Sequence, residues 1–208
     1  MTDPAPEEVD ANPFLSAEMS GDFRGWRNSM AKVRAEIESV HLQILVWGPG
    51  SRSPDLPKRT TVMEHLAATP NNEVTTSEQL IKSGVDDFSG MTLRDREWIH
   101  WRNADLVIAI VPTEPRVTGV RTEIAIFGND KEFLDKLVLI RPKLNQRQER
   151  ELSFLERSWR ELTVSRRFDF TDKQYHDCHL IRQFCADQVL SVRNERALSQ
   201  MKLRGKTT

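Results

Sequence analysis

The sequence predicts an α/β fold, in which helices cover both faces of a parallel sheet. Short apolar segments, such as HLQILVW at residues 41–47 and DLVIAIV at residues 105–111, alternate with longer segments whose apolar residues recur every three or four positions. The first pattern is typical of buried parallel strands and the second of amphipathic helices. At 208 residues the chain has room for one such domain with additions.

The first half of the chain begins with a helix and continues as a strand-helix-strand unit. Phe23, Trp26, Met30, Val33 and Ile37 repeat at helical spacing, which predicts a helix over residues 20–40. Strands are expected at residues 41–47, closed by a Gly-Pro-Gly turn, and at residues 73–77, after a Pro-Asn-Asn turn. A helix over residues 58–68 connects these two strands.

The second half continues the alternation. Helices are expected over residues 93–103, 120–127, 149–162 and 173–201, and strands over residues 105–111, 137–141 and 167–171. Pro142 ends the fourth strand, and the absence of proline from the remaining 66 residues allows long helices. With right-handed crossovers the simplest strand order is 2-1-3-4-5, the flavodoxin-like (Rossmann-like) arrangement.

The predicted organisation has three parts. Residues 1–13, with three prolines and four acids, are expected to form a disordered tail. Residues 14–172 form the α/β domain, interpreted as nucleotide-binding, and residues 173–208 form a C-terminal helix with a basic tail. A polar helix longer than 25 residues often packs on another subunit, so a homo-oligomer or a partner protein is expected to bind through this helix.

Composition excludes several classes of protein. The 30 basic and 31 acidic residues leave a net charge of -1, which gives no global argument for binding nucleic acid or membrane. The longest apolar run, residues 106–112, is too short to cross a bilayer, and the acidic first ten residues do not resemble a secretory signal. We therefore expect a cytoplasmic protein.

The cysteines and histidines do not have zinc-site spacing. Cys178 and Cys185 lie two helical turns apart, too far for a disulfide. His176 and His179 flank Cys178, yet no CxxC or HxxxH pair is present. We expect no metal and no cofactor.

In the predicted strand order, ligands bind beyond the carboxyl ends of strands 1 and 3. The loops that follow these strands, residues 48–57 and 112–123, would form the two walls of one crevice. Glycine tolerates close approach of a ligand, so the turn Gly48-Pro49-Gly50 is a binding candidate, although a structural turn explains it equally well. The predicted lining of one pocket is Gly48, Pro49, Arg59, Pro112, Gly119 and Glu123.

The segment TGVRTEIA at residues 118–125 gives the strongest indication of chemistry. Gly119 opens the loop and Thr122 is expected to cap a helix, which puts Glu123 in the first turn, facing the crevice. Glu123 either complements the helix dipole or acts as a nucleophile or stabiliser of an oxocarbenium-like centre. Trp98 precedes strand 3 and either stacks on a base or packs with Trp101.

The chain also resembles a known group of enzymes. The segments ILVWGPG, KRTTVMEHL, ADLVIAIV, TGVRTEIAIF and KLVLIRP, between residues 43 and 142, resemble the nucleoside 2-deoxyribosyltransferase and TIR-like superfamily, which includes domains of bacterial defence systems. That resemblance implies cleavage of an N-glycosidic bond by a catalytic glutamate at Glu123. It also implies ligand contacts at Gly48, Pro49 and Asp105.

Two functions follow as hypotheses, beside a third interpretation in which the chain is a protein-interaction scaffold without a ligand and the candidate residues are structural. The first is an N-glycosidase that acts on a nucleoside, a nucleotide or NAD, with a role in bacterial antiphage defence or as a toxin effector implied by the resemblance. The alternative is a nucleotide sensor without turnover, which couples ligand binding to assembly with partner proteins. It is favoured by the Ile-Ala pair that follows Glu123 in place of a glycine. In both, NAD or a nucleotide is the substrate or ligand and not a cofactor.

Overall fold

The fold has the predicted α/β class and strand order. The computed structural model describes residues 17–82, 90–113, 119–143, 145 and 164–204. Within these residues one parallel sheet of five strands has the order β2-β1-β3-β4-β5. The strands are β1 (Leu42–Trp47), β2 (Asn72–Thr75), β3 (Leu106–Ile110), β4 (Leu137–Pro142) and β5 (Arg166–Phe170).

Helices lie on both faces of the sheet. Their bounds are α1 (Ala17–Ser39), α2 (Leu56–Ala67), α3 (Ser77–Lys82), α4 (Leu93–Asn103), α5 (Gly119–Phe127), α6 (Lys131–Lys136), α7 (Asp172–His176) and α8 (Cys178–Arg204). One apolar cluster joins the sheet to α2, α7 and α8, with α1 packed against it. A second cluster joins the other face to α4, α5 and α6. The side chains of β3 and β4 are buried throughout, as their continuous apolar runs predict.

The C-terminal helix is part of the α/β core. Its residues Ile181, Cys185 and Val189 belong to the same apolar cluster as strands β1, β3 and β4. The buried face of this helix is therefore covered by the chain's own sheet, α1 and α2. The prediction of one helix over residues 173–201 is wrong at Asp177, where the chain is extended. There the carboxylate Oδ1 accepts the backbone N–H of His179 at 2.9 Å and so caps α8.

Two short helices were missed. The helix α3 begins with a capping box, in which Thr76 Oγ1 accepts the N–H of Gln79 at 3.2 Å and Gln79 Oε1 accepts the N–H of Thr76 at 2.9 Å. The other is α6, capped by Asp130. The predicted tail at residues 1–13 and the predicted helix at residues 149–162 lie outside the described residues. Of the helices that are described, none has the length and apolar character needed to span a membrane.

Candidate functional site

The candidate site lies where β1 and β3 end, at the carboxyl edge of the sheet. Trp47 is the last residue of β1 and pairs with Ala109 of β3. Glu123 lies on α5, the helix that follows β3. The prediction that Thr122 caps this helix is wrong, because the helix already includes Gly119. Glu123 thus lies one turn inside the helix, on its partly buried side.

Glu123 has a strongly raised pKa. Burial, followed by the negative charges of Glu97 and Glu78, raises its pKa from 4.5 to about 8. These three carboxylates come from three different helices, α5, α4 and α3. At neutral pH the Glu123 side chain is therefore mostly a neutral carboxylic acid. A strongly raised pKa is frequent among functional carboxyls, and structural burial also produces it.

Glu97 is sealed inside the protein beside β1. Its residue exposure is 4%, and its Oε2 accepts the indole N–H of Trp47 at 3.1 Å and the hydroxyl of Ser77 at 2.5 Å. His100 Nδ1 lies 3.9 Å from the same oxygen. Sequence analysis missed Glu97. Its position one turn before the buried Trp101 was the available signal, because residues four apart share a helix face.

Glu78, also missed, lies at the start of α3 and pairs with Arg59 of α2. Arg59 Nη1 donates to Glu78 Oε1 at 3.0 Å. Burial would raise the pKa of Glu78, but hydrogen bonds from its own backbone N–H and from Arg59 hold that pKa below its usual value. Gly48 makes room for this arrangement, because a Cβ there would lie 3.1 Å from Arg59 Cδ. The glycine after β1 thus serves the placement of Arg59.

A cavity of about 430 Å³ opens beside the Arg59–Glu78 pair. It is lined by Ser51, Arg59, Thr60, Met63, Glu64, Thr76, Glu78, Gln79 and Lys82. Hydroxyl, cationic and carboxylate groups therefore face one space next to the loop after β1. Of the six residues predicted to line one pocket, Arg59 lines this cavity, whereas Gly48, Pro49, Pro112, Gly119 and Glu123 do not. A pocket shared by all six predicted residues stays a prediction.

A buried polar cluster joins the two predicted walls of the crevice. Asp55 Oδ2 accepts both the backbone N–H and the hydroxyl of Thr113, each at 2.6 Å. Its other oxygen pairs with Lys58, whose ammonium lies 4.6 Å from the ring centre of Tyr175. The Tyr175 hydroxyl donates in turn to the carbonyl of Val111. The loops after β1 and β3 are thereby fixed to each other and to α7.

Four further predicted residues lie in the loops after β1 and β3 or in the first turn of α5. Pro49 is buried, and the carbonyl of Gly50 accepts the N–H of Ser53 at 3.0 Å. The carbonyl of Pro112 accepts from Arg121 Nη2 at 2.9 Å. Gly119, in the first turn of α5, has open space where a Cβ would lie. Their predicted ligand contacts stay predictions.

Two predicted ligand contacts, Trp98 and Asp105, do not line the cavity beside Glu78. Asp105 directly precedes β3, at the amino-terminal ends of the strands. Its carboxylate accepts the N–H of Gln43 at 2.8 Å and pairs with Arg196. Trp98 is 42% exposed and lines an open depression between α4 and α5. Its ring contacts Trp101 and the guanidinium of Arg102. The structure therefore groups neither residue with Glu78, Glu97 and Glu123.

The comparisons with known proteins add no family to this geometry. No protein-family model matches the chain, and a search of curated proteins also found no match. Within the described ranges, no group of three or more His, Cys, Asp or Glu side chains is arranged to hold a metal ion.

Proposed function

We propose that this protein is an N-glycosidase that cleaves the bond between a base and its sugar in a nucleoside, a nucleotide or NAD, with Glu123 as the catalytic carboxyl group. The observation that carries the proposal is the position of Glu123 on α5, the helix that follows β3, where burial raises its pKa to about 8. The carboxyl ends of strands β1 and β3 are the usual ligand position of this strand order. The resemblance of GVRTE and its flanking strands to N-glycosidic enzymes supports it independently.

A carboxyl with a pKa near 8 suits the role of general acid. It is protonated at neutral pH and can transfer that proton to a base nitrogen as the glycosidic bond breaks. After the transfer, the new carboxylate and its charged neighbours favour the positive charge that develops on the sugar. Glu123 therefore changes from neutral to negative as the sugar becomes positive.

General acid catalysis by Glu123 should favour some substrate classes over others. A neutral purine or pyrimidine leaves more easily when it is protonated, whereas the nicotinamide of NAD already carries a positive charge. A protonated Glu123 is therefore of most use with neutral bases. We expect nucleosides and nucleotides to be cleaved faster than NAD.

A base-release assay tests the proposal. Purified protein is incubated with deoxynucleosides, nucleoside monophosphates and NAD, and the free base is measured by chromatography. Because general acid catalysis contributes about 10²- to 10⁴-fold, Glu123→Gln should lose that much activity. Glu132→Gln is the matched control, since it removes a carboxylate that pairs with Arg102 and Lys136 on another surface. Equal activity, or equal inactivity, of wild type and Glu123→Gln would overturn the proposal.

The sensor alternative predicts a different result. A ligand that binds only the folded state stabilises it by about 2.7 kcal/mol at 100 times its dissociation constant. A nucleotide that raises the melting temperature without losing its base would support the sensor in place of the enzyme. The homo-oligomer, the partner protein, the cytoplasmic location and the role in defence stay predictions.

A further inference from the structure

The three carboxylates around Glu123 differ in their access to a substrate. Glu97 is enclosed by Trp47 and Ser77, and its exposed fraction is 4%. The side chain of Glu78 is 56% exposed and lines the cavity of about 430 Å³. A substrate in that cavity can touch Glu78 but cannot touch Glu97.

Arg59 fixes the orientation of Glu78. The guanidinium side chain is only 15% exposed and lies against Gly48, which has no side chain to push it away. Its Nη1 is 3.0 Å from Glu78 Oε1, and the capping box between Thr76 and Gln79 fixes the backbone that carries Glu78. Glu78 is thus an ionised carboxylate that is held in place at the wall of a cavity.

The ionisation of Glu78 differs from that of Glu123, although the two side chains are close enough for the charge of Glu78 to raise the pKa of Glu123. The guanidinium holds the pKa of Glu78 below its usual value, while burial and the two neighbouring acids raise the pKa of Glu123. Two carboxyls whose environments push their ionisation apart provide an acid and a base at the same pH. The cavity and the ion pair place an ionised Glu78 where a ligand can reach it, and the difference in ionisation from Glu123 suits the role of a base.

We propose that Glu78 is the second catalytic carboxylate of this site, the general base that activates water, and that Arg59 is its positioning residue. This inference rests on the proposed N-glycosidase function. The water oxygen bonds to the anomeric carbon of the sugar as the carbon–nitrogen bond breaks. Glu78 takes a proton from the water, and Glu123 gives its proton to the departing base. The base leaves with the electron pair of that bond and is neutral once it holds the proton from Glu123, and the sugar keeps the hydroxyl group from the water. The two carboxyls recover their starting protonation by exchange with solvent.

The first experiment removes the base and then replaces it chemically. Glu78→Ala should lower kcat by about 10²- to 10⁴-fold, and added formate, a small carboxylate, should restore at least tenfold of that loss. Glu78→Gln keeps the side-chain volume and should be equally slow, which covers the case in which the alanine variant fails to fold. Glu132→Gln, with and without formate, should match wild type.

The second experiment tests Arg59. Arg59→Met should move the acidic limb of the kcat/KM profile to higher pH, because the guanidinium lowers the pKa of Glu78. Arg59→Lys should restore part of that shift. A purely structural role for Arg59 would lower activity at every pH without moving the limb.

The outcomes separate this inference from the proposed function. Wild-type activity that is lost in Glu123→Gln but is within threefold of normal in Glu78→Gln would overturn the role of Glu78 and leave the enzyme in place. A folded but slow Glu78→Ala variant that formate does not rescue would also overturn it. A wild-type protein that releases no base from any substrate of the panel would overturn both.

Discussion

The Glu123→Gln variant should be more stable than the wild type, and the difference in free energy of unfolding should grow as the pH rises. Glutamine resembles the protonated carboxyl in shape but cannot ionise. The folded state raises the pKa of Glu123 from 4.5 to about 8. The wild type therefore loses stability as pH rises from about 4.5, where the unfolded chain ionises, and the loss is complete above the folded pKa. Below about pH 4.5 the carboxyl is protonated in both states, and its ionisation has no effect.

The size of the effect follows from the pKa. One unit of pKa difference corresponds to about 1.4 kcal/mol, so a rise from 4.5 to about 8 corresponds to at most roughly 5 kcal/mol. Glu123 is only partly buried, and water near its carboxylate reduces this penalty. We expect Glu123→Gln to gain about 2 to 4 kcal/mol relative to wild type at alkaline pH.

Urea denaturation of both proteins measures this gain. The free energies of unfolding should be close at about pH 4.5 and should diverge up to about pH 9. Glu132→Gln should show no such gain, because Lys136 and Arg102 stabilise that carboxylate in its ionised form. A difference between Glu123→Gln and wild type that stays the same at every pH would refute the reasoning.

Three further predictions concern the surroundings of the site. Asp55→Ala should lower the free energy of unfolding by about 3 to 5 kcal/mol in urea denaturation, because it leaves the buried ammonium of Lys58 unpaired. Adding Lys58→Met should recover most of the loss, and an Asp55→Ala variant as stable as wild type would contradict the buried pair. Glu97→Gln should lower the pKa of Glu123 in a carbon-13 NMR titration, with the Glu123 signal assigned by its loss in Glu123→Gln; an unchanged pKa would show that the charge of Glu97 does not reach Glu123. Cys178 is partly exposed and should react with a thiol reagent in the native protein. Complete burial raises the pKa of Cys185, so that thiol should react only after denaturation, and equal rates for the two cysteines would contradict the packing of α8.

The sequence was sufficient to predict the sheet because each strand is specified locally. Runs such as LVIAI in β3 are buried on both faces, so their apolar character is continuous and their direction follows from the crossovers. The position of Glu123 near the end of β3 followed from the same argument. The start of its helix did not, because Thr122 has the residue type of a cap but lies inside α5.

The neighbours of Glu123 could not be predicted in the same way. Glu78 and Glu97 look like ordinary surface acids in the sequence, and their positions depend on contacts that join distant segments. The bond from Trp47 to Glu97 spans 50 positions, and the bond from Thr113 to Asp55 spans 58. Local signals that were overlooked are the capping box that begins at Thr76, the Asp130 cap of α6 and the position of Glu97 one turn before Trp101.

The pH dependence of base release tests the central claim most directly. The kcat/KM profile for the best nucleoside or nucleotide substrate reports the ionisation of the free enzyme. If Glu123 is the general acid, kcat/KM should fall as the pH rises through about 8, and Glu97→Gln should move that fall to lower pH. A kcat/KM that rises to a plateau above this pH would contradict the account, because it would show that an ionised Glu123 acts as the nucleophile.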